Sequence, residues 1–227
     1  MLGEGNTSVR LSDETFLVKA SGTSLSTLRE EDAVECRFAP LLDLLNQEGL
    51  DDKAVDDALF ASRVDAKAKK PSVEAVFHAC LLALPGIEYV GHVHSVSVNQ
   101  ILCSPRAEDF ANHRLFPDEI VCCGSRSVFV PYTDPGLQLA KSIRDGVEQF
   151  LASEGTNPRI ILLKNHGVIG IGNSEKAVES ALLMCGKAAE IFVGAAVLGG
   201  PIFLTPENVA RIGGRPDEHH RQKMLGI

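Results

Sequence analysis

Apolar and polar residues follow two different periods along this chain, and these periods predict where strands and helices lie. Alternation on both sides of a polar turn at residues 12–14 predicts a hairpin near the amino end. Further short apolar runs predict strands at residues 88–94, 128–130, 159–163 and 168–171. Apolar residues spaced three and four apart predict two short helices within residues 40–61, and helices at residues 72–84, 95–103, 134–155 and 174–198. Residues 104–127 show neither period and are expected to be irregular.

The length and the charge limit the classes of protein that fit. The 227 residues contain no internal repeat and no low-complexity linker, which predicts a single domain over residues 1–227. The formal net charge is -8, and the longest basic cluster is the short one at residues 67–70. This balance argues against nucleic acid or an anionic membrane as the main partner. An anionic ligand would therefore be held by a local site.

Targeting signals and cysteine spacing indicate the compartment. The first residues have neither the basic flank nor the apolar region of a secretory signal. The longest apolar stretch, residues 191–204, contains three glycines and a proline and is too short to span a bilayer. The six cysteines lack Cys-x-x-Cys spacing, and several lie within apolar runs, as reduced core thiols do. We therefore expect a cytoplasmic protein.

Two histidines lie two residues apart in the strand predicted at residues 88–94. Successive side chains of a strand point to opposite faces, so His92 and His94 emerge on one side, within reach of one metal ion. A third candidate, His166, lies in an Asn-His-Gly segment between two apolar runs. A catalytic zinc site takes three protein ligands and keeps one position open. The alternative is that these histidines are satisfied by hydrogen bonds beside a core. The two histidines at residues 219–220 are expected to have a disordered or interface role and not to bind metal.

The helix predicted from Ser72 begins beside a carboxylate. Ser72 is the candidate N-cap, and Glu74 lies in the first turn, where unpaired backbone N–H groups favour negative charge. Glu74 is thus a candidate functional group, and a simple partner of the helix dipole is the alternative. His78 is expected to be a packed or supporting residue. The loop with Ser21 and Gly22 lets backbone N–H groups approach an anion, and an ordinary turn is its alternative.

Five short blocks occur along the chain in the order Gly5-Asn6-Thr7-Ser8, Ala20-Ser21-Gly22-Thr23, Pro71-Ser72-Val73-Glu74, His92-Val93-His94 and Asn165-His166-Gly167. Together they resemble the blocks of the class II aldolase/adducin family, which includes the fuculose-phosphate and rhamnulose-phosphate aldolases and ribulose-phosphate 4-epimerase. The insertion between residues 37 and 70 most resembles the aldolase part of bifunctional rhamnulose-phosphate aldolase/dehydrogenases. Because the chain begins almost at the first block, the N-terminal helix of the family is expected to be missing, or the start codon to be misplaced.

The resemblance implies a fold and a set of site residues. The expected fold class is α/β, a three-layer α/β/α sandwich around a mostly antiparallel sheet, often assembled as a homotetramer. The residues that match the family's metal ligands are His92, His94 and His166. The metal is expected to be Zn²⁺, or another divalent ion such as Mn²⁺ or Co²⁺. Glu74 matches the catalytic acid/base of the aldolases. The residues that match the family's phosphate site are Asn6, Ser21, Gly22 and Ser72.

The chemistry implied by the resemblance is that of a class II, zinc-dependent aldehyde-lyase. Such an enzyme cleaves or forms a carbon–carbon bond of a ketose phosphate or related hydroxy-ketone through a metal-stabilised enediolate. Glu74 would move the proton of the enediolate carbon. Tyr132 is the candidate proton donor to the aldehyde oxygen, because Tyr89 faces away from the histidines, and a tyrosine that closes a turn is the alternative. Val73 stands where the fuculose-phosphate enzyme has a second phosphate-binding serine, which leaves phosphorylation of the substrate open.

Rival functions use the same residues differently. A sugar-phosphate 4-epimerase or a decarboxylase of the same family would share the metal-enediolate chemistry. A non-catalytic, adducin-like interaction module would need neither the three histidines nor the carboxylate. A zinc hydrolase is disfavoured, because the sequence has no His-Glu-x-x-His helix.

Overall fold

The computed structural model describes residues 4–218 and residue 222. The expectation for residues 219–220 falls outside the described residues. The strands are β1 (Asn6–Arg10), β2 (Thr15–Lys19), β3 (Ala33–Arg37), β4 (Tyr89–Val93), β5 (Val128–Val130), β6 (Ile160–Leu163) and β7 (Gly167–Gly172). The helices are α1 (Phe38–Leu45), α2 (Asp52–Ser62), α3 (Ala75–Leu82), α4 (Val96–Leu102), α5 (Ala107–Asn112), α6 (Pro117–Cys123), α7 (Leu137–Glu154), α8 (Glu175–Val197) and α9 (Pro206–Gly213).

The strands form a mixed sheet in the order β3-β2-β1-β4-β7-β6-β5. The pairs β1 with β2, β2 with β3, and β6 with β7 are antiparallel, whereas β5 and β6 are parallel. The predicted α/β fold around a mostly antiparallel sheet is confirmed. The predicted hairpin is also confirmed, since Val9 pairs with Leu17 across the turn.

The chain divides into two compact units. The first runs to Gly91 and also includes Thr133–Asp145, and the second begins at His92, runs to Tyr132 and resumes at Gly146. The expected single domain over residues 1–227 stays a prediction.

The first unit is built on the antiparallel β1-β2-β3 meander. Side chains of β2 alternate between the two faces of the sheet, so Phe16 and Val18 are buried while Thr15 and Leu17 are more exposed. The ring of Phe16 stacks on Phe38 at the start of α1, with centroids 4.8 Å apart. Helix α3 contacts both β1 and β2 and buries Phe77 and Leu81 completely. This packing holds β1 and the start of α3 together, and therefore also holds Asn6 near Glu74.

The second unit has its own apolar core. All four residues of β6 are buried, as expected for a strand that is covered on both faces. Helix α8 adds small residues to this core, among them Ala181, Cys185 and Ala188, and contacts α4, α6 and β7. Side chains of α4, including Val98 and Leu102, complete the cluster. Helix α4 is thereby held against β7, the strand that directly follows His166.

Helix α8 is both long and apolar in composition. Among the described residues it is the helix that is long and apolar enough, by length and composition, to cross a membrane. A core helix of a water-soluble protein meets the same criterion, and α8 buries Ala188, Ala189 and Phe192 in the core of the second unit. The expectation that the chain has no membrane partner stays a prediction.

Residues 104–127 are not irregular, so that prediction is wrong. They contain the short helices α5 and α6, which have six and seven residues and are too short to show a helical period. Pro117 occupies the first turn of α6, where its missing N–H would lack an intrahelical partner in any case. Helix α3 begins at Ala75 with Glu74 as its N-cap residue, so Ser72 is not the cap that the sequence predicted.

Candidate active site

Three histidines of the second unit converge on one point. The ring centroids of His92, His94 and His166 lie 4.8, 4.8 and 5.0 Å apart, and one ligand nitrogen from each lies within 4.8 Å of the others. The Nε2 atoms of His92 and His94 are 3.0 Å apart. Nitrogens bound to one tetrahedral zinc at about 2 Å would lie roughly 3.3 Å from each other. The structure thus brings together the three predicted ligands at a spacing that fits a metal ion.

Backbone geometry explains how distant segments meet there. The pleat of β4 points His92 inward, and His94 follows directly after the strand ends at Val93. The turn between β6 and β7 presents His166, with Asn165 in the left-handed region at φ 56°. Asparagine tolerates this conformation better than most residues other than glycine. The turn therefore depends on its sequence as well as on the strands beside it.

Gly167 permits the close approach of the histidine segments. A Cβ atom at this position would lie 2.7 Å from the carbonyl oxygen of Val93, 2.9 Å from the ring of His94 and 3.0 Å from the ring of His92. Side-chain carbons do not approach backbone oxygens so closely, so only glycine fits without a shift of the backbone. The glycine of the Asn-His-Gly block is thus required for the close packing of this turn against Val93, His94 and His92.

Hydrogen bonds hold the ring of His92 and the backbone of His166. The Nδ1 of His92 lies 3.1 Å from the carbonyl oxygen of Val168, which can only accept, so Nδ1 carries the proton and Nε2 keeps its lone pair. The side-chain amide of Asn99 donates to the carbonyl oxygen of His166 at 2.9 Å. Burial lowers the pKa of His166, which favours its neutral, metal-binding form. Three neutral imidazoles form a donor set suited to Zn²⁺, and also to other divalent transition metals.

The predicted carboxylate lies in a buried polar cluster of the first unit. The Nδ2 of Asn6 donates to Glu74 Oε2 at 2.5 Å and to Ser72 Oγ at 3.3 Å. Asn6, Ser72 and Glu74 are all less than a tenth exposed. The backbone N–H of Glu74 donates to Ser72 Oγ at 3.3 Å. Asn6 is therefore in direct contact with two other predicted site residues, which lie 66 and 68 positions further along the chain.

The predicted anion-binding loop lies beside the segment that leads to Ser72. The backbone N–H of Ser21 donates to Lys70 O at 2.9 Å, and the N–H of Ser72 donates to Lys19 O at 3.2 Å. Gly22 has φ +76°, a conformation that favours glycine. Ser21 and Gly22 are exposed. Their role toward phosphate stays a prediction.

A buried lysine that the sequence did not predict lies at the end of β2, just before this loop. The side chain of Lys19 is turned inward, and its Nζ donates to the carbonyl oxygen of Thr23 at 2.6 Å. Burial lowers the pKa of Lys19, while the charges of Glu74 and Asp32 raise it. The strand period places Lys19 on the same face as Leu17, which is not buried, so the sequence offered no signal for an inward lysine. Tyr132 follows β5 with a side chain that is 58% exposed, and its catalytic role stays a prediction.

The fold and these side chains define an α/β protein with a candidate three-histidine metal centre. The sequence profile of the family described as Class II Aldolase and Adducin N-terminal domain matches residues 1–193, and the chain belongs to this family. The predicted family resemblance is confirmed. Proteins of this family are mostly enzymes that act on small sugar phosphates, are typically dependent on a divalent metal and often form oligomers.

Individual relatives carry different names. An uncharacterized oxidoreductase of Bacillus subtilis, YuxG, is 24% identical over 233 residues, which cover 99% of this chain and 31% of YuxG. The chain thus spans about a third of that relative. The 3-oxo-tetronate 4-phosphate decarboxylase of Haemophilus influenzae is 28% identical over 191 residues, covering 80% of this chain and 76% of the decarboxylase. The N-terminal class II aldolase domain of a conserved protein from Thermoplasma acidophilum has a TM-score of 0.68 at 26% identity, with 85% of each chain covered.

Proposed function

We propose that this protein is a metal-dependent aldolase that cleaves or forms a carbon–carbon bond in a ketose phosphate or related hydroxy-ketone. The convergence of His92, His94 and His166, with ligand nitrogens within 4.8 Å of one another, is the observation that carries this proposal. These side chains would hold one divalent cation, for which Zn²⁺ is our first choice. Bound there, the cation would supply a Lewis acid that offsets the negative charge developing on the substrate oxygens.

The chain's own residues supply the proton transfers. In the synthesis direction the carboxylate of Glu74 takes a proton from the α-carbon of the hydroxy-ketone, and this carbon forms the new bond to the aldehyde carbon. The aldehyde oxygen takes a proton from the phenol O–H of Tyr132 and becomes the β-hydroxyl. Glu74 then loses its proton to solvent and Tyr132 regains one from solvent, and the cleavage direction runs the same steps in reverse. A general acid/base step of this kind contributes typically about 10²–10⁴-fold to the rate.

Binding and assembly complete the proposal. Asn6, Ser72 and the Ser21–Gly22 loop would hold the phosphate of the substrate. The hydrogen bonds between the loop and residues 70–72 support this assignment, because they keep both anion-binding segments adjacent. We further propose a homotetramer in the cytoplasm, with no nucleic acid or membrane partner. The net charge of -8 supports the absence of polyanionic partners.

A decarboxylase of a sugar-acid phosphate is the second candidate. The relative from Haemophilus influenzae, which bears that name, favours it at 28% identity. Aldol cleavage and decarboxylation both leave an enediolate, so the site chemistry alone serves either reaction. A 4-epimerase remains a third candidate, since it would recombine the cleaved fragments.

A substrate panel separates these reactions. The metal-loaded chain is incubated with ketose phosphates and 3-oxo-sugar-acid phosphates, and aldehyde, CO₂ and epimer are quantified. We expect aldehyde release that is lost in His92→Ala and after chelation, and retained in His113→Ala, which changes an exposed histidine outside the triad. CO₂ release without aldehyde would replace the aldolase by the decarboxylase. Activity that survives complete removal of metal would overturn the proposal.

A further inference from the structure

A row of buried polar side chains runs away from Glu74 in the first unit. Asn6 Nδ2 donates to Glu74 Oε2 at 2.5 Å, and Asn6 Oδ1 contacts Nε2 of His78. The Nδ1 of His78 lies 2.6 Å from Ser8 Oγ. The four side chains belong to β1 and to the start of α3, and each is less than a tenth exposed.

The donor in each contact follows from the chemistry of the groups. A carboxylate accepts hydrogen bonds only, so the amide of Asn6 must turn its Nδ2 toward Glu74. Its Oδ1 then faces His78, and because this oxygen can only accept, His78 Nε2 must carry the hydrogen. The Nδ1 of a neutral imidazole is then an acceptor, so Ser8 Oγ donates to it. The row has a single direction, from Ser8 through His78 and Asn6 to Glu74.

Burial disfavours the positively charged form of His78, in which both ring nitrogens carry hydrogen. Its side chain is 0% exposed and stacks on Phe77 with ring centroids 4.7 Å apart. Burial lowers the pKa of His78 to about 3, so the ring is neutral and carries one hydrogen at neutral pH. In the opposite tautomer, Nε2 and Asn6 Oδ1 would be two acceptors in contact. An amide flip of Asn6 could relieve that contact, but would turn Oδ1 toward the carboxylate.

We propose that His78, held in its Nε2–H tautomer by Ser8, is a positioning residue that fixes the amide of Asn6 and thereby orients the Glu74 carboxylate for proton transfer. This inference rests on the proposed function, because it concerns the base of that reaction. His78 itself contacts Asn6 and Ser8, and it acts on Glu74 through Asn6. Neither contact involves the three metal-binding histidines.

The tautomer is measured first, and without substrate. Nitrogen-15 NMR of the histidine-labelled full chain, with a His78→Gln variant to assign the signals, distinguishes a protonated Nε2 from a protonated Nδ1. We expect the Nε2–H tautomer in the unmodified chain. We expect Ser8→Ala to mix the two tautomers, because Nδ1 loses its donor. A protonated Nδ1 in the unmodified chain would overturn the inference, whatever reaction the protein catalyses.

The positioning role is measured by exchange of the substrate's α-proton with solvent in the metal-loaded chain. We expect Ser8→Ala to slow exchange about 10-fold, since an unsatisfied buried group disturbs the row. Metal affinity should stay within about twofold, because none of the hydrogen bonds of the row reaches His92, His94 or His166. Thr7→Val is the matched control, because it removes a hydroxyl of the same strand whose only hydrogen bond given by the structure is to Val90 O at 3.1 Å. His78→Gln, which can supply an N–H near the position of Nε2, should retain more exchange than His78→Met.

The outcomes separate the inference from the proposed function. If Glu74→Gln slows exchange but Ser8→Ala does not, the positioning role is overturned and the proposed function stands. If the metal-loaded chain catalyses no exchange with any substrate of the panel, the proposed function fails and the positioning role fails with it. The NMR measurement decides the tautomer in either case. Equal loss in Ser8→Ala and Thr7→Val would show a general effect on β1, and would also overturn the positioning role.

Discussion

The side-chain amide nitrogen of Asn99 donates a hydrogen bond of 2.9 Å to the backbone carbonyl oxygen of His166. The backbone N–H of Asn165 donates to Leu102 O at 3.3 Å, so helix α4 holds the turn through two hydrogen bonds. The Oδ1 of Asn99 is buried and has no hydrogen-bond partner among the described residues. Such a buried acceptor costs about 1–3 kcal/mol. The unsatisfied oxygen thus belongs to the residue that holds the backbone of His166.

We expect Asn99→Ala to weaken metal binding by up to about 10-fold, because the turn that carries His166 loses a hydrogen bond worth about 0.5–1.5 kcal/mol. Stability should change less, since the lost hydrogen bond is offset by removal of the unsatisfied oxygen. Gln100→Ala, an exposed neighbour in α4, is the control. Competition with a chromophoric chelator measures the Kd. Equal affinities of Asn99→Ala and the unmodified chain would show that the turn holds His166 without this contact.

Gly167→Ala tests the close approach at the histidines. The added methyl group would lie 2.7 Å from Val93 O and 2.9 Å from the ring of His94, so one of the two segments must move. We expect metal binding to be lost and the protein to be destabilised by about 1–3 kcal/mol, the usual range for an overpacked site. Urea denaturation and metal titration measure the two effects.

Gly194→Ala is the matched control for this substitution. Gly194 lies within α8, and an added Cβ would meet nothing within 4 Å. We expect it to leave metal binding unchanged and to stabilise the helix by roughly 0.5–1 kcal/mol. If Gly167→Ala behaved like Gly194→Ala, the described packing of the histidine segments would be incorrect.

His78 makes stability depend on pH in a defined window. Its pKa is about 3 in the fold and roughly 6.5 in an unfolded chain, so between these values the unfolded state binds the extra proton. The stability from the neutral buried ring is fully present above about pH 6.5 and is lost as pH falls toward about 3. The slope from this one residue approaches about 1.4 kcal/mol per pH unit.

The comparison with His78→Gln isolates this contribution. Glutamine does not titrate, so the difference in unfolding free energy between the unmodified chain and the variant should shrink as pH falls from about 7 to about 4. Urea denaturation of both metal-free chains at several pH values measures it, and the other histidines are common to both. A difference that stays constant over this range would contradict a neutral, buried His78.

Local sequence patterns predicted most of the strands and helices and the three histidines of the candidate metal centre. The His-x-His spacing at the end of β4 matches the period of a strand, and the apolar runs around His166 identified β6 and β7. Helices α5 and α6 were not predicted, because six and seven residues make fewer than two turns and show little of a helical period. Strand β3 was not predicted either. Strand β3 is also rich in charged residues, which weakened the apolar signal.

Contacts between distant positions could not be predicted from periodicity. Asn6 and Glu74 are 68 positions apart, and their contact exists only because α3 packs on β1. The inward turn of Lys19 and the direction of the hydrogen bonds at His78 depend on the same packing. The family resemblance supplied Asn6 and Glu74 as separate residues, and the structure shows that they touch. Sequence patterns thus indicated the candidate metal ligands better than the groups that contact the Glu74 carboxylate.

Metal content is the most direct test of the central claim. The chain is purified, freed of metal, reloaded with Zn²⁺ and dialysed, and its zinc is counted by mass spectrometry beside His166→Ala and His113→Ala. We predict about one zinc per chain for the unmodified protein and for His113→Ala, and near zero for His166→Ala, because a structural or catalytic zinc needs at least three protein ligands. Equal zinc in His166→Ala and the unmodified chain, or none in either, would contradict the three-histidine centre.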